Sequence, residues 1–222
     1  MGVDVRRELH FGDNLEVLRD RAHFPDESVA LIYLDPPFNS NATYNVLFKD
    51  KTGAKAEASI TAFDDTWTWG LTSEHAYDEV VRGENIKAAQ LLKALRSFLG
   101  DNDMMAYIAM MAVRLVELHR VLKGTGSLYL HCDPTASHYL KLVLDAIFGG
   151  ENFRSEIVWK RTFAHGNVSR AYGAVTDTIF WYSKSNAYLW NQQFTRLSSQ
   201  ELDARYKNRD ADGRRWQSVT LR

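Results

Sequence analysis

Cysteine is nearly absent from this sequence, and long apolar runs are absent altogether. The single cysteine, Cys132, excludes an internal disulfide framework and a cysteine-rich zinc site. Charged residues interrupt the apolar stretches, so none of them has the length that a bilayer span requires, and the first residues have no apolar signal-peptide region. These absences favour a cytoplasmic location. Proline occurs only four times, but Pro36 and Pro37 are adjacent.

The remaining composition is that of a globular protein with a polarised charge distribution. Hydrophobic residues make up 45% of the chain and charged residues 25%, which excludes a disordered chain. The net charge is −1, yet from Glu151 onward there are 12 Lys and Arg residues against 7 Asp and Glu residues. A basic C-terminal third is compatible with a polyanion-binding face. On charge alone, an ordinary solvated surface explains it equally well.

Apolar patterns typical of strands and of helices alternate along the chain, which predicts an α/β fold. Strands are predicted at 8–11, 28–34, 127–131, 157–160 and 176–183. Helices are predicted at 14–21, 85–99, 103–122, 137–148 and 198–206. The continuous apolar run at 28–34 is typical of a buried central strand. A long polar loop is expected from Pro36 to about Ser73, a length that usually indicates function or disorder.

The most informative segment ends that strand and reads Leu34-Asp35-Pro36-Pro37-Phe38-Asn39. Open α/β sheets bind ligands at the carboxyl ends of their strands. The two prolines fix the backbone and remove two N–H donors, so a carboxylate, a rigid carbonyl and a flat ring stand together. Such a set suits a planar amine, because Asp35 and a carbonyl can accept its N–H groups while Phe38 stacks on its ring. A proline-rich turn in which Asp35 caps its own loop is the alternative.

This segment resembles motif IV of the S-adenosylmethionine-dependent DNA amino-methyltransferases, which reads Asp, Asn or Ser, then Pro-Pro and an aromatic residue. The order of the other segments resembles the β group of that family. Residues 10–15 are similar to the short strand and Gly-Asp pair that precede motif IV, and residues 122–130 to a later helix-glycine-strand segment. Residues 157–160 and 176–184 are similar to the strands before the target-recognition region.

The resemblance implies methyl transfer from S-adenosylmethionine to the N6 amino group of adenine in DNA. It implies a partial Rossmann-like sheet with helices on both faces and a basic target-recognition region. The residues that it places on a flipped-out base are Asp35, Pro36, Pro37 and Phe38, and those that it places on the cofactor are Asp13 and Asp35. N4-cytosine or RNA adenine stays open as the target, although Asp rather than Ser at position 35 favours DNA adenine over cytosine.

A face for DNA is expected around the strand that ends at Lys160. The candidate DNA contacts are Asn39, Lys160, Arg161 and Arg170. The resemblance implies double-stranded DNA as the substrate and leaves a homodimer and a cognate restriction endonuclease as open partners. No membrane partner is expected.

One feature of the family, its glycine-rich cofactor loop, is missing, and the β-group order would place it beyond residue 222. We therefore expect an incomplete catalytic subdomain over 1–160. Residues 161–222 are expected to hold the last sheet strand or strands and the start of the target-recognition region. The chain is accordingly expected to be a fragment of a longer domain, and a noncatalytic DNA-binding remnant remains an alternative.

A metal site is a further interpretation of the segment after the strand at 127–131. His131, Cys132, Asp133 and His138 are residue types that bind zinc. However, Asp133-Pro134-Thr135 is typical of a helix start, and the sequence offers no ligand-spaced partners elsewhere. No metal site is therefore expected.

Overall fold

Strands and helices alternate in the computed structural model, which describes residues 7–37, 43–45, 61–64, 67–161, 172, 175–194 and 196–218. The chain divides into two units, Met1–Leu189 and Trp190–Arg222. The helices of the first unit are α1 (Asn14–Arg19), α2 (Leu71–Arg82), α3 (Ile86–Leu99), α4 (Asp103–Val121) and α5 (Ser137–Phe148). Its strands are β1 (Val29–Leu34), β2 (Thr43–Asn45), β3 (Thr61–Asp64), β4 (Leu122–Cys132), β5 (Phe153–Lys160) and β6 (Thr176–Ser183). The predicted α/β fold is confirmed.

A four-stranded mixed sheet with the order β1-β4-β6-β5 forms the frame of the first unit. β1 runs parallel to β4, with Leu34 opposite Leu130. β6 is antiparallel to both β4 and β5. β6 lies in the segment 161–222, where the last sheet strand or strands were predicted, and it pairs with two strands that precede residue 161. The division at residue 160 stays a prediction.

Helix α4 lies at the centre of the core. It is apolar around most of its circumference, as expected of a helix that is buried on several sides, and Tyr107, Ile108 and Leu115 are fully buried. It packs against α1, α2, α3 and α5. The sheet contributes Leu128 and Leu130 of β4 to the same core.

Side-chain caps explain why two of the long helices begin where they do. Asn85 accepts a hydrogen bond from the third backbone N–H of α3 at 3.0 Å, and Asn102 does the same for α4 at 2.9 Å. Each cap satisfies a donor that the first helical turn leaves without a partner. The predicted positions of α3, α4 and α5 are confirmed, with ends that differ by a residue or two.

Two strand predictions are wrong. Residues 8–11 pair with no described strand, and Leu9 and Phe11 are exposed. β1 is not central among the described strands, because β4 alone pairs with it. Leu31, which points away from the core, is 60% exposed. Helices on the outward face of β1 therefore remain a prediction.

The strand predicted at 127–131 begins earlier than expected, because β4 starts at Leu122, directly after α4. Gly126 lies within that strand, and a Cβ there would stand 3.0 Å from the carbonyl oxygen of Ala30. Glycine therefore permits the close approach of β1 and β4.

The region expected to be one long loop, 36–73, contains more structure than predicted. β2 and β3 pair as an antiparallel two-stranded sheet, and α2 begins at Leu71. None of the described helices has both the length and the apolar character needed to cross a membrane.

The second unit contains α6 (Ser199–Arg205) and a small hairpin of β7 (Asn208–Arg209) and β8 (Arg215–Trp216). Ser198 and Glu201 form a capping box, in which each side chain accepts a hydrogen bond from the other residue's backbone N–H. The helix predicted at 198–206 is thus confirmed, and residues 210–214 connect the two strands of the hairpin.

Candidate active site

The candidate site lies at the carboxyl end of β1, where Asp35, Pro36 and Pro37 leave the sheet. These residues line a cavity of about 550 Å³, a volume within the roughly 300–1,000 Å³ of small-molecule sites. The other residues around it are Gly12, Asp13, Asn14, Leu34, Trp67, Met110, Met111 and Arg114. Two segments that the sequence singled out separately, the Gly-Asp pair and Asp-Pro-Pro, therefore meet at one cavity.

The Gly12-Asp13 turn forms one wall. Gly12 has φ = 137°, a conformation that glycine adopts without the steric cost of a side chain. Asp13 follows it, and its Oδ1 accepts a hydrogen bond from the backbone N–H of Leu15 at 2.9 Å, which caps α1. The cap fixes the carboxylate at the cavity while leaving it partly open to solvent.

Arg114 of α4 holds this turn against the core. Its Nη2 donates to both Asp13 carboxylate oxygens, at 2.8 and 3.0 Å, and its Nε donates to the side-chain oxygen of Asn14 at 2.9 Å. A third group, Nη1, donates to the carbonyl of Met110. The side chain is only 12% exposed. Paired contacts between guanidinium and carboxylate are strong and directional, so the position of Asp13 is well defined.

Asp35 contacts a residue on the neighbouring strand. Its Oδ1 lies 2.9 Å from Nδ1 of His131. The parallel register explains the contact, because Leu34 and Leu130 are partners and Asp35 and His131 follow them directly. The Asp35 side chain is 59% exposed, whereas that of His131 is 18% exposed. The carboxylate is therefore open to the cavity and held from behind.

Behind His131 lies a buried ion pair. Nε2 of His131 is 3.5 Å from Oδ2 of Asp177 on β6, whose side chain is 7% exposed. Nε of Arg161, the residue after β5, donates to the same oxygen at 2.5 Å. Arg161, a predicted DNA contact, thus directs its guanidinium at a buried carboxylate in this structure.

The chain matches a family model described as DNA methylase over residues 29–220. It belongs to this family. The Type III restriction-modification enzyme StyLTI Mod subunit of Salmonella typhimurium is 29% identical over 174 residues, which are 78% of this chain and 23% of that protein. The Type II methyltransferase M.EcaI of Enterobacter cloacae is 25% identical over 183 residues, which are 82% of this chain and 30% of that protein.

The chain thus spans between 23% and 30% of the length of these two DNA methylase relatives. Among solved structures, a crystal structure of the M1.HpyAVI–SAM complex aligns with a TM-score of 0.41 and 13% identity. That alignment covers 85% of this chain and 60% of the other.

The remaining predicted DNA contacts have different surroundings. Lys160 is exposed at the end of β5. Asn39, Arg170 and the predicted stacking residue Phe38 lie outside the described residues. In the second unit, Arg209 and Arg215 both pair with Asp203, at 3.1 and 2.9 Å. Of the four candidate DNA contacts, Lys160 is therefore the one that lies among the described residues and is exposed to solvent.

The residues considered for a metal site have other surroundings in the structure. Burial raises the pKa of the Cys132 thiol to about 12, and the nearby carboxylates act in the same direction. Asp133 accepts a hydrogen bond from the backbone N–H of Thr135 at 3.0 Å, and His138 is exposed on α5. Among the described residues, no group of three or more His, Cys, Asp and Glu side chains is arranged to hold a metal ion.

Sequence reasoning missed three side chains of the candidate site. Arg114 and Trp67 were not connected with the cavity, and His131 was weighed only as a metal ligand or a strand end. A signal existed for Arg114, because it is a charged residue in a mostly apolar helix. The partner of His131 follows only from the register of β1 and β4.

Proposed function

We propose that this chain carries the base-binding half of an S-adenosylmethionine-dependent DNA methyltransferase that acts on the N6 amino group of adenine. One observation carries the proposal: β1 delivers Asp35-Pro36-Pro37 to the same cavity that the Gly12-Asp13 turn lines. A base-binding motif and a cofactor-binding turn must share one space if a methyl group is to pass directly between two ligands. Membership in the DNA methylase family supports this reaction class.

The cavity has the chemical character that S-adenosylmethionine requires. Its volume of about 550 Å³ is sufficient for a small-molecule cofactor. Trp67, Met110 and Met111 offer apolar surface, and Asp13 offers a carboxylate for hydroxyl or amino groups of the adenosyl part. When bound, S-adenosylmethionine supplies an electrophilic methyl group on a sulfonium. The role of Arg114 is to keep the Asp13 carboxylate in position.

Asp35 and Pro36 are proposed to act on the exocyclic amine. The lone pair of that nitrogen is delocalised into the purine ring, which makes it a poor nucleophile. Hydrogen bonds from the two N–H groups to the Asp35 carboxylate and the Pro36 carbonyl favour a tetrahedral nitrogen with a localised lone pair. This is catalysis by position and electrostatics, and no covalent intermediate is needed.

The target base has to leave the duplex before these contacts can form. Base flipping costs a few kcal/mol in unstacking and unpairing. Phe38, the aromatic residue of the motif, is proposed to return part of that cost by stacking, which contributes roughly 1–3 kcal/mol per base. Double-stranded DNA is therefore the proposed substrate, and Lys160, exposed at the end of β5, is a proposed phosphate contact.

A restriction endonuclease is the proposed functional partner of the whole protein. The support is that the Salmonella typhimurium relative is named as the Mod subunit of a restriction-modification enzyme. Methylation of its own recognition sequence would protect host DNA from such a nuclease. Co-purification of the full-length protein with the product of a neighbouring gene, followed by a cleavage assay on unmethylated DNA, tests this partner.

The reaction is tested by substitution of Asp35 in the full-length protein. Asp35→Ala removes the proposed acceptor, and loss of one such contact typically costs 10²–10³ in rate. Incorporation of labelled methyl groups is measured on matched oligonucleotides with adenine or cytosine targets, as duplex DNA and as RNA. We expect N6-methyladenine in duplex DNA only, and its loss in the variant.

The matched control is Asp78→Ala, which removes a carboxylate from the solvent side of α2. It should retain wild-type turnover. Full turnover by Asp35→Ala would exclude Asp35 from the site. Methyl transfer confined to cytosine or to RNA would overturn the choice of substrate.

A further inference from the structure

A row of polar side chains crosses the sheet behind the cavity. It takes one residue from each of the four strands or from the position directly after it: Asp35 after β1, His131 in β4, Asp177 in β6 and Arg161 after β5. Asp35 Oδ1 lies 2.9 Å from His131 Nδ1, and His131 Nε2 lies 3.5 Å from Asp177 Oδ2. Nε of Arg161 lies 2.5 Å from the same Asp177 oxygen. Exposure falls from 59% at Asp35 to 7% at Asp177.

The chemistry of the first contact fixes which group donates. An ionised carboxylate has only acceptors, so Nδ1 of His131 must carry the hydrogen and Asp35 Oδ1 must accept it. This bond occupies one oxygen of Asp35. The other oxygen remains for a ligand in the cavity.

The second contact limits the space in which the imidazole can rotate. With Nδ1 directed at Asp35, Nε2 lies 3.5 Å from Oδ2 of Asp177, so the ring is packed between side chains that follow or belong to the two neighbouring strands. Asp177 cannot turn away, because the Arg161 guanidinium pairs with it from the other side. A side chain held in this way has few alternative rotamers, so it can orient an exposed neighbour.

We propose that His131 is a positioning residue that orients the Asp35 carboxylate toward the target amine, with the Asp177–Arg161 pair holding His131 in place. The inference rests on the proposed function of Asp35. Without a donor from behind, a carboxylate that is 59% exposed samples several rotamers in water. Its productive orientation is then populated for only part of the time.

Two substitutions of similar size separate positioning from packing. His131→Leu fills the space without a donor, whereas His131→Asn places an amide N–H close to the position of Nδ1. In the full-length protein we expect His131→Leu to lower kcat about tenfold to hundredfold, which is the range for losing a hydrogen bond to a charged group. KM for DNA and for S-adenosylmethionine should change little, and His131→Asn should recover most of kcat.

A second measurement tests the contact without catalysis. The ¹⁵N chemical shifts of a histidine ring report which nitrogen carries hydrogen and what it bonds. We expect Asp35→Asn to move the ring signals of His131 and to leave those of His75, which is exposed on α2, unchanged. Unmoved His131 signals would overturn the contact and with it the inference.

The possible failures are distinguishable. If Asp35→Ala is inactive but His131→Leu keeps wild-type kcat, the positioning role is overturned and the proposed function stands. If Asp35→Ala remains fully active, the proposed function fails, whatever the ring signals show. If His131→Asn is as impaired as His131→Leu, despite native circular dichroism, the donor role of Nδ1 is wrong.

Discussion

The guanidinium of Arg114 donates two hydrogen bonds to the carboxylate of Asp13, which lies 101 positions earlier in the chain. Arg114 lies on α4, the most buried helix of the core, whereas Asp13 lies in an exposed turn. The contact therefore anchors an exposed turn, which has little packing of its own, to a buried helix of the core. This relationship leads directly to the first prediction.

Arg114→Met retains much of the apolar stem and removes the four hydrogen bonds that the guanidinium donates. Hydrogen bonds to charged groups contribute about 1.5–3 kcal/mol, so we expect S-adenosylmethionine to bind roughly tenfold or more weakly to the full-length protein. Calorimetric titration measures the change. Arg82→Met is the matched control, because Arg82 is an exposed residue that pairs with Asp78 and does not line the cavity. Equal affinity of both variants would contradict the role of Arg114.

Phe38→Ala should weaken capture of the flipped base, whereas Phe38→Tyr should be tolerated, since stacking requires only a flat ring. The expected loss is roughly 1–3 kcal/mol of stacking free energy. Fluorescence of 2-aminopurine at the target position reports flipping, because the base brightens when it leaves the stack. An undiminished signal with the alanine variant would exclude the stacking role.

Tyr182→Phe should destabilise the fold without affecting the cavity. The fully buried Tyr182 hydroxyl donates to Asp145 Oδ1 at 2.6 Å, and Lys141 bonds the same carboxylate. Burial, followed by the contact with Asp145, raises the pKa of Tyr182, so the hydroxyl remains a donor. The expected loss is about 1.5–3 kcal/mol in the free energy of unfolding, measured by urea denaturation. Tyr33→Phe, at an exposed position, should stay within about 0.5 kcal/mol of wild type.

His119 predicts a pH dependence of stability. Burial lowers its pKa below the ordinary value of 6.5, and the charge of Lys184 acts in the same direction. The unfolded chain therefore binds a proton at a higher pH than the folded protein does. The stability that comes from the neutral imidazole is present above pH 6.5 and is lost as pH falls through the lower, folded pKa.

The measurement compares wild type with His119→Gln by urea denaturation at about pH 7.5 and 5.5. The advantage of the wild type should shrink at the lower pH, because the His119 imidazole gains a proton in this interval and a glutamine amide does not. Taking the difference between the two proteins cancels the other histidines and the carboxylates, which both proteins share. A difference that is the same at both pH values would show that folding does not shift the protonation of His119.

Sequence patterns predicted those helices and strands whose residue types alone indicate their secondary structure. β6 was predicted at its observed bounds because β-branched and aromatic residues dominate it, and α3 and α5 because their apolar stripes are continuous. α2 was missed, because its mean hydropathy is lower than that of α3. Its stability comes from packing on α3 and α4, which no short sequence window contains.

The residues of the candidate site also fall into those that a local motif predicts and those that depend on tertiary contacts. Asp13 and Asp35 were found from motifs that are contiguous in the sequence. Arg114 and His131 reach these carboxylates from positions about a hundred residues away, so their contacts depend on helix packing and on strand register. A one-residue change in the register of β4 would turn His131 to the other face of the sheet.

The outer edge of β1 has a practical consequence for handling the protein. No other described strand covers that edge, and the exposed Leu31 and Tyr33 stand beside it. A free edge next to apolar side chains is a template for association between copies. Concentrated samples of residues 1–222 are therefore expected to form oligomers through β1. Leu31→Lys should suppress this association, as light scattering would show, because a charged side chain on an edge strand resists burial against a second molecule.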